Sequence, residues 1–176
     1  MITLRDMRES DIEDYVRWFT KDTGWMLFDA PWEELPETTE EEERKGWTEY
    51  YESVKNLPED TVRWKYDVDL DGKHIGWVCW YDDLDYVENP EGIRAVGIDL
   101  PEESVYNRGA GTEALRQFIR YLKEHGSASV YTQTWSGNTR MLRVAEKLGF
   151  TEVYRKKDFR NVNGKLFDAV TLKLDL

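Results

Sequence analysis

The stretch from Ile93 to Leu122 limits the fold more than any other part of the chain, because it passes from a strand pattern to a helix pattern across a glycine loop. Ile93 to Leu100 reads as a strand, and Leu115, Phe118, Ile119 and Leu122 then recur on one helical face. A strand feeding a helix in this way belongs to folds in which helices cover a sheet. The loop, Tyr106-Asn107-Arg108-Gly109-Ala110-Gly111-Thr112, opens the helix. Glycines here let backbone amides approach a ligand, and the helix amino end offers unpaired N–H groups to an anion such as a pyrophosphate. Gly109 and Gly111 serve a tight turn and close helix packing equally well, so the pair alone decides nothing. No lysine followed by serine or threonine comes after them, nor a third spaced glycine of the dinucleotide type, so other nucleotide motifs fit poorly.

The remaining elements are predicted by the same patterns. Ile2, Leu4 and Met7 suggest an opening strand, and Ser10 with Glu13 has capping-box spacing for a helix to about Phe19. The aromatic, proline-containing run from Trp25 to Trp32 has no period and reads as a structured loop. Glu40 to Glu43 start a helix after Thr39, with acids at the positive end of its dipole and Trp47, Tyr50, Tyr51 and Val54 at helical spacing. Three strands between Val62 and Leu100 form a meander, the first two joined by a turn at Asp69-Leu70-Asp71-Gly72. Ser129 to Trp135 is a further strand, followed by a helix with Met141, Val144, Ala145 and Leu148 buried and Gly149 as its cap. Phe150 to Phe159 and Lys165 to Leu174 close the chain as a hairpin through Asn163-Gly164. This order predicts an α+β (mixed α/β) fold with a largely antiparallel sheet, and 176 residues suit one domain over 1–176.

Charge and composition narrow the function. A net charge of −12 opposes binding to a phosphate backbone, so no nucleic-acid partner is expected. No run approaches the roughly 18 apolar residues of a membrane span, and the first residues lack an export signal. The lone Cys79 allows no internal disulfide, which favours a cytoplasmic setting. His74 and His125 lie at no zinc-ligand spacing, so no metal is expected.

At the glycine loop the chain resembles the GNAT superfamily of N-acetyltransferases, whose Arg/Gln-x-x-Gly-x-Gly/Ala loop corresponds to Tyr106-x-x-Gly109-x-Gly111. Gly-Thr-Glu-Ala-Leu at 111–115 and Asn138-Thr139-Arg140-Met141-Leu142-Arg143-Val144-Ala145-Glu146-Lys147-Leu148-Gly149-Phe150 are similar to the branch that holds ribosomal-protein N-acetyltransferases. The resemblance implies a twisted central sheet flanked by helices, with acetyl-CoA between splayed strands that end near Leu100 and Trp135. It also implies a pyrophosphate held by the backbone of Arg108, Gly109, Ala110, Gly111 and Thr112, and contacts from Asn138 to the pantetheine arm or acyl region. Arg143 or Lys147 would meet outlying phosphate, although both suit a solvated helix face as well. Tyr106 departs from the arginine or glutamine of the pattern, which removes a side-chain contact. A homodimer is expected only by analogy with the superfamily.

Transfer of an acetyl group to an amine needs a neutral nucleophile, and a carboxylate of ordinary pKa is a poor base for an ammonium. Asp99, at the end of the strand before the loop, is the candidate catalytic residue, on a resemblance to aminoglycoside 6'-N-acetyltransferases, which carry a Gly/Met-Asp pair there. A turn cap with Pro101 is the alternative, and Glu102 and Glu103 stand in reserve. The tyrosine that many GNAT enzymes use to protonate the thiolate is replaced by Ala145, and the serine of the ribosomal-type branch by Met141. Water or Ser136 is left as the acid. Trp25, Asp29 and Trp32 are candidate acceptor-binding residues, because aromatic faces and carboxylates suit a cation. The expected acceptor is a small cationic amine such as an aminoglycoside or polyamine. A protein amino terminus or a non-catalytic CoA-binding module are the alternatives.

Overall fold

A computed structural model describes residues 1–35, 37–87 and 93–176. Strands β1 (Ile2–Arg5), β2 (Lys65–Leu70), β3 (Lys73–Tyr81), β4 (Ala95–Asp99), β5 (Ser129–Trp135), β6 (Thr151–Val162) and β7 (Lys165–Asp175) form one sheet in the order β1-β2-β3-β4-β5-β7-β6. Only β4 and β5 run parallel. The helices are α1 (Ile12–Thr20), the single turn α2 (Met26–Asp29), α3 (Glu40–Val54), α4 (Ala110–Glu124) and α5 (Thr139–Leu148). The expected mixed α/β architecture is present.

Both predicted hairpins turn on residues with positive φ: Asp71 (52°) and Gly72 (85°) join β2 to β3, and Asn163 (51°) and Gly164 (82°) join β6 to β7. Ala114, Leu115, Phe118 and Leu122 of α4 are buried against Val78, Val96, Val130 and Val170 on one face of the sheet. On the other face Tyr15, Val16 and Trp18 of α1 cover Trp77, and Trp47 of α3 stacks on Tyr15 at 3.9 Å.

Two expectations are corrected. The capping box is not Ser10 with Glu13; Asp11 accepts the Arg8 N–H at 2.6 Å, because Asp11 is already drawn inward by Arg5, whose guanidinium meets both its oxygens at 2.6 and 2.9 Å. Glu13 turns outward to Arg44 at 2.7 and 2.9 Å. The Trp25–Trp32 loop is helical in its first half, with a 3-10 turn at Thr23–Trp25 and then α2, a segment too short to show a period. The helix expected after Thr39 is present, and it opens on a capping box not read from the sequence, with Glu42 accepting from the Thr39 N–H at 2.9 Å. No helix among the described residues is long and apolar enough to cross a membrane.

Candidate active site

Strands β4 and β5 share a single register pair, Ala95 with Tyr131, where the Tyr131 N–H meets the Arg94 carbonyl at 2.8 Å. One step on, the Thr132 hydroxyl donates to the Val96 carbonyl at 2.9 Å, a side chain replacing a ladder bond. Beyond that the strands part. The resulting cleft, about 460 Å³, is walled by Val96 to Leu100 of β4 and its end, Thr132 to Thr134 of β5, the start of α4, one side of α5, and Trp25, Phe28 and Asp29 near α2.

At the α4 end, Gly109 takes a left-handed conformation (φ 80°) and the first intrahelical bond runs from the Glu113 N–H to the Gly109 carbonyl at 3.0 Å. The N–H groups of Ala110, Gly111 and Thr112 therefore have no helical acceptor, and they sit at the positive end of a 15-residue helix. A diphosphate meets a ready set of donors there. Asn138 lines the cleft, and its side-chain oxygen caps α5 by accepting the Met141 N–H at 3.1 Å.

Asp99 stands at the other end of the cleft. Its placement depends on Gly76, where an added Cβ would lie 2.0 Å from the Asp99 carbonyl oxygen; only a glycine lets the end of β4 close over β3 there. Burial pushes the Asp99 carboxyl up to about 7, and the Asp29 carboxylate adds to the rise. The Lys65 ammonium and the Trp77 indole pull the other way. Lys65 is itself buried in a cage of rings, with Nζ 4.3 Å from Tyr15 and 4.9 Å from both Trp47 and Tyr50, and burial lowers its pKa. Asp29 is exposed at the mouth, and its carboxyl is raised by desolvation first and Glu33 second. Neither Asp29 nor Asp99 has a salt-bridge partner among the described residues.

The cleft gathers Asp99, Leu100, Gly109, Ala110, Gly111, Thr112, Asn138, Arg143, Trp25 and Asp29. Three expected residues lie elsewhere. Arg108, expected for its backbone, is exposed on the loop and does not line the cleft. Trp135 folds its indole over Gly137, where a Cβ would come within 1.7 Å of the ring, and donates Nε1–H to the Phe28 carbonyl at 2.9 Å. Trp32 packs edge-on against Trp135 and Phe159 at 5.6 and 5.5 Å, so these two tryptophans buttress α2 and line no part of the cleft. Ser136 does not line the cleft, and its hydroxyl oxygen accepts the Asp168 N–H at 2.9 Å. Glu102 is bound by Arg17 at 2.5 Å and Lys73 at 2.6 Å, which leaves it no catalytic freedom. Cys79 lines the cleft with its thiol pushed up to about 12 by burial, so it is not a nucleophile.

Arg140 enters the cleft unannounced by its sequence. Its guanidinium lies between the rings of Phe28 (3.9 Å) and Tyr106 (4.2 Å) and has no carboxylate partner among the described residues. A lone cation at the start of a helix gives no signal in a sequence beyond that of a solvated face.

The acetyltransferase (GNAT) domain profile matches residues 1–151. The chain belongs to this family. It is an acetyl-CoA-dependent N-acetyltransferase. GNAT structures share the fold at low identity. The ribosomal L7/L12 alpha-N-protein acetyltransferase RimL, in complex with coenzyme A, superimposes with a TM-score of 0.71 at 18% identity, covering 99% of this chain and 94% of that one. The ribosomal-protein-S5-alanine acetyltransferase from Vibrio fischeri gives 0.70 at 21%, covering 99% and 92%. A GNAT-family acetyltransferase from Bacillus anthracis gives 0.69 at 18%, covering 99% and 94%. No curated protein matches the chain in sequence.

Proposed function

We propose that residues 1–176 act as one cytoplasmic domain that moves the acetyl group of acetyl-CoA to a primary amine of a small cationic molecule, of the polyamine or aminoglycoside kind. The observation that carries this reading is the pair of unpaired carboxylates, Asp29 and Asp99, in a cleft walled by Trp25, Phe28 and Tyr81. Two acids without a cation of their own, beside aromatic faces, suit an acceptor with more than one ammonium. Trp135 supports the choice of a small acceptor, since its bond to the Phe28 carbonyl holds α2 across the mouth where a protein chain would have to enter.

The N–H groups of residues 110–112 hold the pyrophosphate, and Arg140, stacked on Tyr106, supplies the cation that the loop itself lacks. Parted β4 and β5 leave backbone groups free to bond the pantetheine arm as a strand would. Asp99, raised to about 7, takes the proton of the acceptor ammonium far more readily than an ordinary carboxylate. The test is thiol release from acetyl-CoA with a panel of polyamines, aminoglycosides and short peptides. Turnover with the small cations is expected, with kcat/KM rising with pH through an acid limb near 7 because the unprotonated carboxylate is the active form. Asp99→Asn should remove that limb and lower kcat roughly 100-fold. Turnover confined to peptides would reject the acceptor class, and an unchanged limb in the variant would reject Asp99.

A further inference from the structure

The reaction leaves one charge that the described residues do not obviously meet. When the C–S bond breaks its electron pair passes to sulfur, and Ala145, which is fully buried, and Met141 place no donor on α5. Thr134 offers one from the opposite wall. It lines the cleft, and its hydroxyl is shut off from solvent with no hydrogen-bond partner among the described residues. A buried hydroxyl without a partner is costly, and native proteins retain few of them.

The position of Thr134 follows from the splay. Thr132, two residues earlier and on the same face of β5, spends its hydroxyl on the Val96 carbonyl. Carrying the Ala95–Tyr131 register forward sets Thr134 opposite Ile98, one residue before Asp99, where β4 has moved out of reach. The neighbouring face of the sheet at this level carries Asp99 and the acceptor side; Thr134 lies on the α4 and α5 side, from which the pantetheine arm arrives. Rotation about χ1 exchanges the hydroxyl with a methyl group of nearly equal size, so it turns toward a ligand without repacking.

We propose that Thr134 is a catalytic residue whose hydroxyl donates a hydrogen bond to the thioester sulfur as it becomes a thiolate. This rests on the assignment of the cleft to acetyl-CoA given above. The acceptor ammonium gives one proton to Asp99, the neutral nitrogen bonds to the acetyl carbon as the C–S bond breaks, the second proton shed by that nitrogen passes to water, and the C–S pair stays on sulfur. Thr134 keeps its proton, and water later protonates the released thiolate.

The test compares wild type with Thr134→Val, which preserves shape, and Thr134→Ser, which restores the hydroxyl. Coenzyme A bound to each protein is titrated by the ultraviolet absorbance of its thiolate, which needs no acceptor. The bound thiol should ionise about one pH unit lower in wild type and Thr134→Ser than in Thr134→Val. The apo Thr134→Val protein should melt at the same temperature as wild type or higher, since it loses an unpaired buried hydroxyl. With an accepted amine its kcat should fall roughly 10- to 100-fold while its KM for acetyl-CoA holds. Equal thiol titrations in wild type and Thr134→Val, or a lower melting temperature in the valine variant, would overturn the role of Thr134. Absence of saturable coenzyme A binding to wild type would instead overturn the cleft assignment beneath it.

Discussion

Arg140 is held by two aromatic rings and, among the described residues, by no acid, so its positive charge is available to a ligand while its orientation is set before any ligand arrives. Arg140→Ala should raise the KM for acetyl-CoA roughly tenfold with kcat little changed, since a charge-assisted phosphate contact contributes to binding and not to the chemical step. Initial rates at varied acetyl-CoA decide it; an unchanged KM would mean that Arg140 serves only to pin Phe28. The place of Asp99 in the cleft was legible because the strand pattern from Ile93 to Leu100 runs out beside it. Arg140 was not, and neither was the orientation of Trp135, which depends on Gly137 two residues on and on the carbonyl of Phe28, 107 positions away. No local pattern carries such information.

At the scale of elements, α1 is fastened to the sheet by charge as well as by its rings. Arg5 of β1 binds Asp11 and Asp69, the Tyr15 hydroxyl donates to Asp67, Lys65 Nζ donates to Tyr15 at 2.5 Å, and His74 of β3 faces Asp14, Asp11 and Asp67 at 3.1, 3.6 and 3.8 Å. Asp11, Asp14 and His74 come close enough to suggest a metal site, but Asp11 is already committed to Arg5 and to the Arg8 N–H. The alternation Lys65, Asp67, Asp69 against Tyr66, Val68, Leu70 looks in sequence like a strand with one face in water. Both faces are covered, because α1 lays Tyr15 over Lys65 and Asp67, while Arg5 of β1 and His74 of β3 bring the counter-charges from elsewhere in the chain. The helices α4 and α5 were legible for the opposite reason, their burial being apolar and periodic.

Desolvation acts against the His74 charge, yet its three carboxylates prevail and raise its pKa to about 9. A folded pKa above the unfolded value of about 6.5 means this stabilisation is complete below pH 6.5 and fades as pH rises toward 9. Wild-type stability should therefore decline by about 3 kcal/mol across that window on this account alone, and denaturant melts of His74→Gln should show a flatter profile. A wild-type profile that stays level from pH 6 to 9 would show that the fold does not raise the imidazole above its ordinary pKa.

The whole molecule is a sheet in two parts, β1 to β4 and β5 to β6, joined along their strands at Ala95 and Tyr131. Past that point the edge of β4 from Gly97 to Leu100 that faces β5, and the edge of β5 from Gln133 to Trp135 that faces β4, are open, and on the proposed binding mode a pantetheine arm would pair there. Amide exchange should therefore be fast in the free protein and slow with acetyl-CoA at those N–H groups of the two segments that face the gap and not β3 or β7, and equal rates with and without the ligand would count against the strand-like mode of binding. A ligand that fills a missing rung also contributes to folding, by about 2.7 kcal/mol at a concentration 100 times its Kd. The seam thus makes the durability of the fold depend on its occupant: the loaded protein should outlast the free one in the presence of a protease.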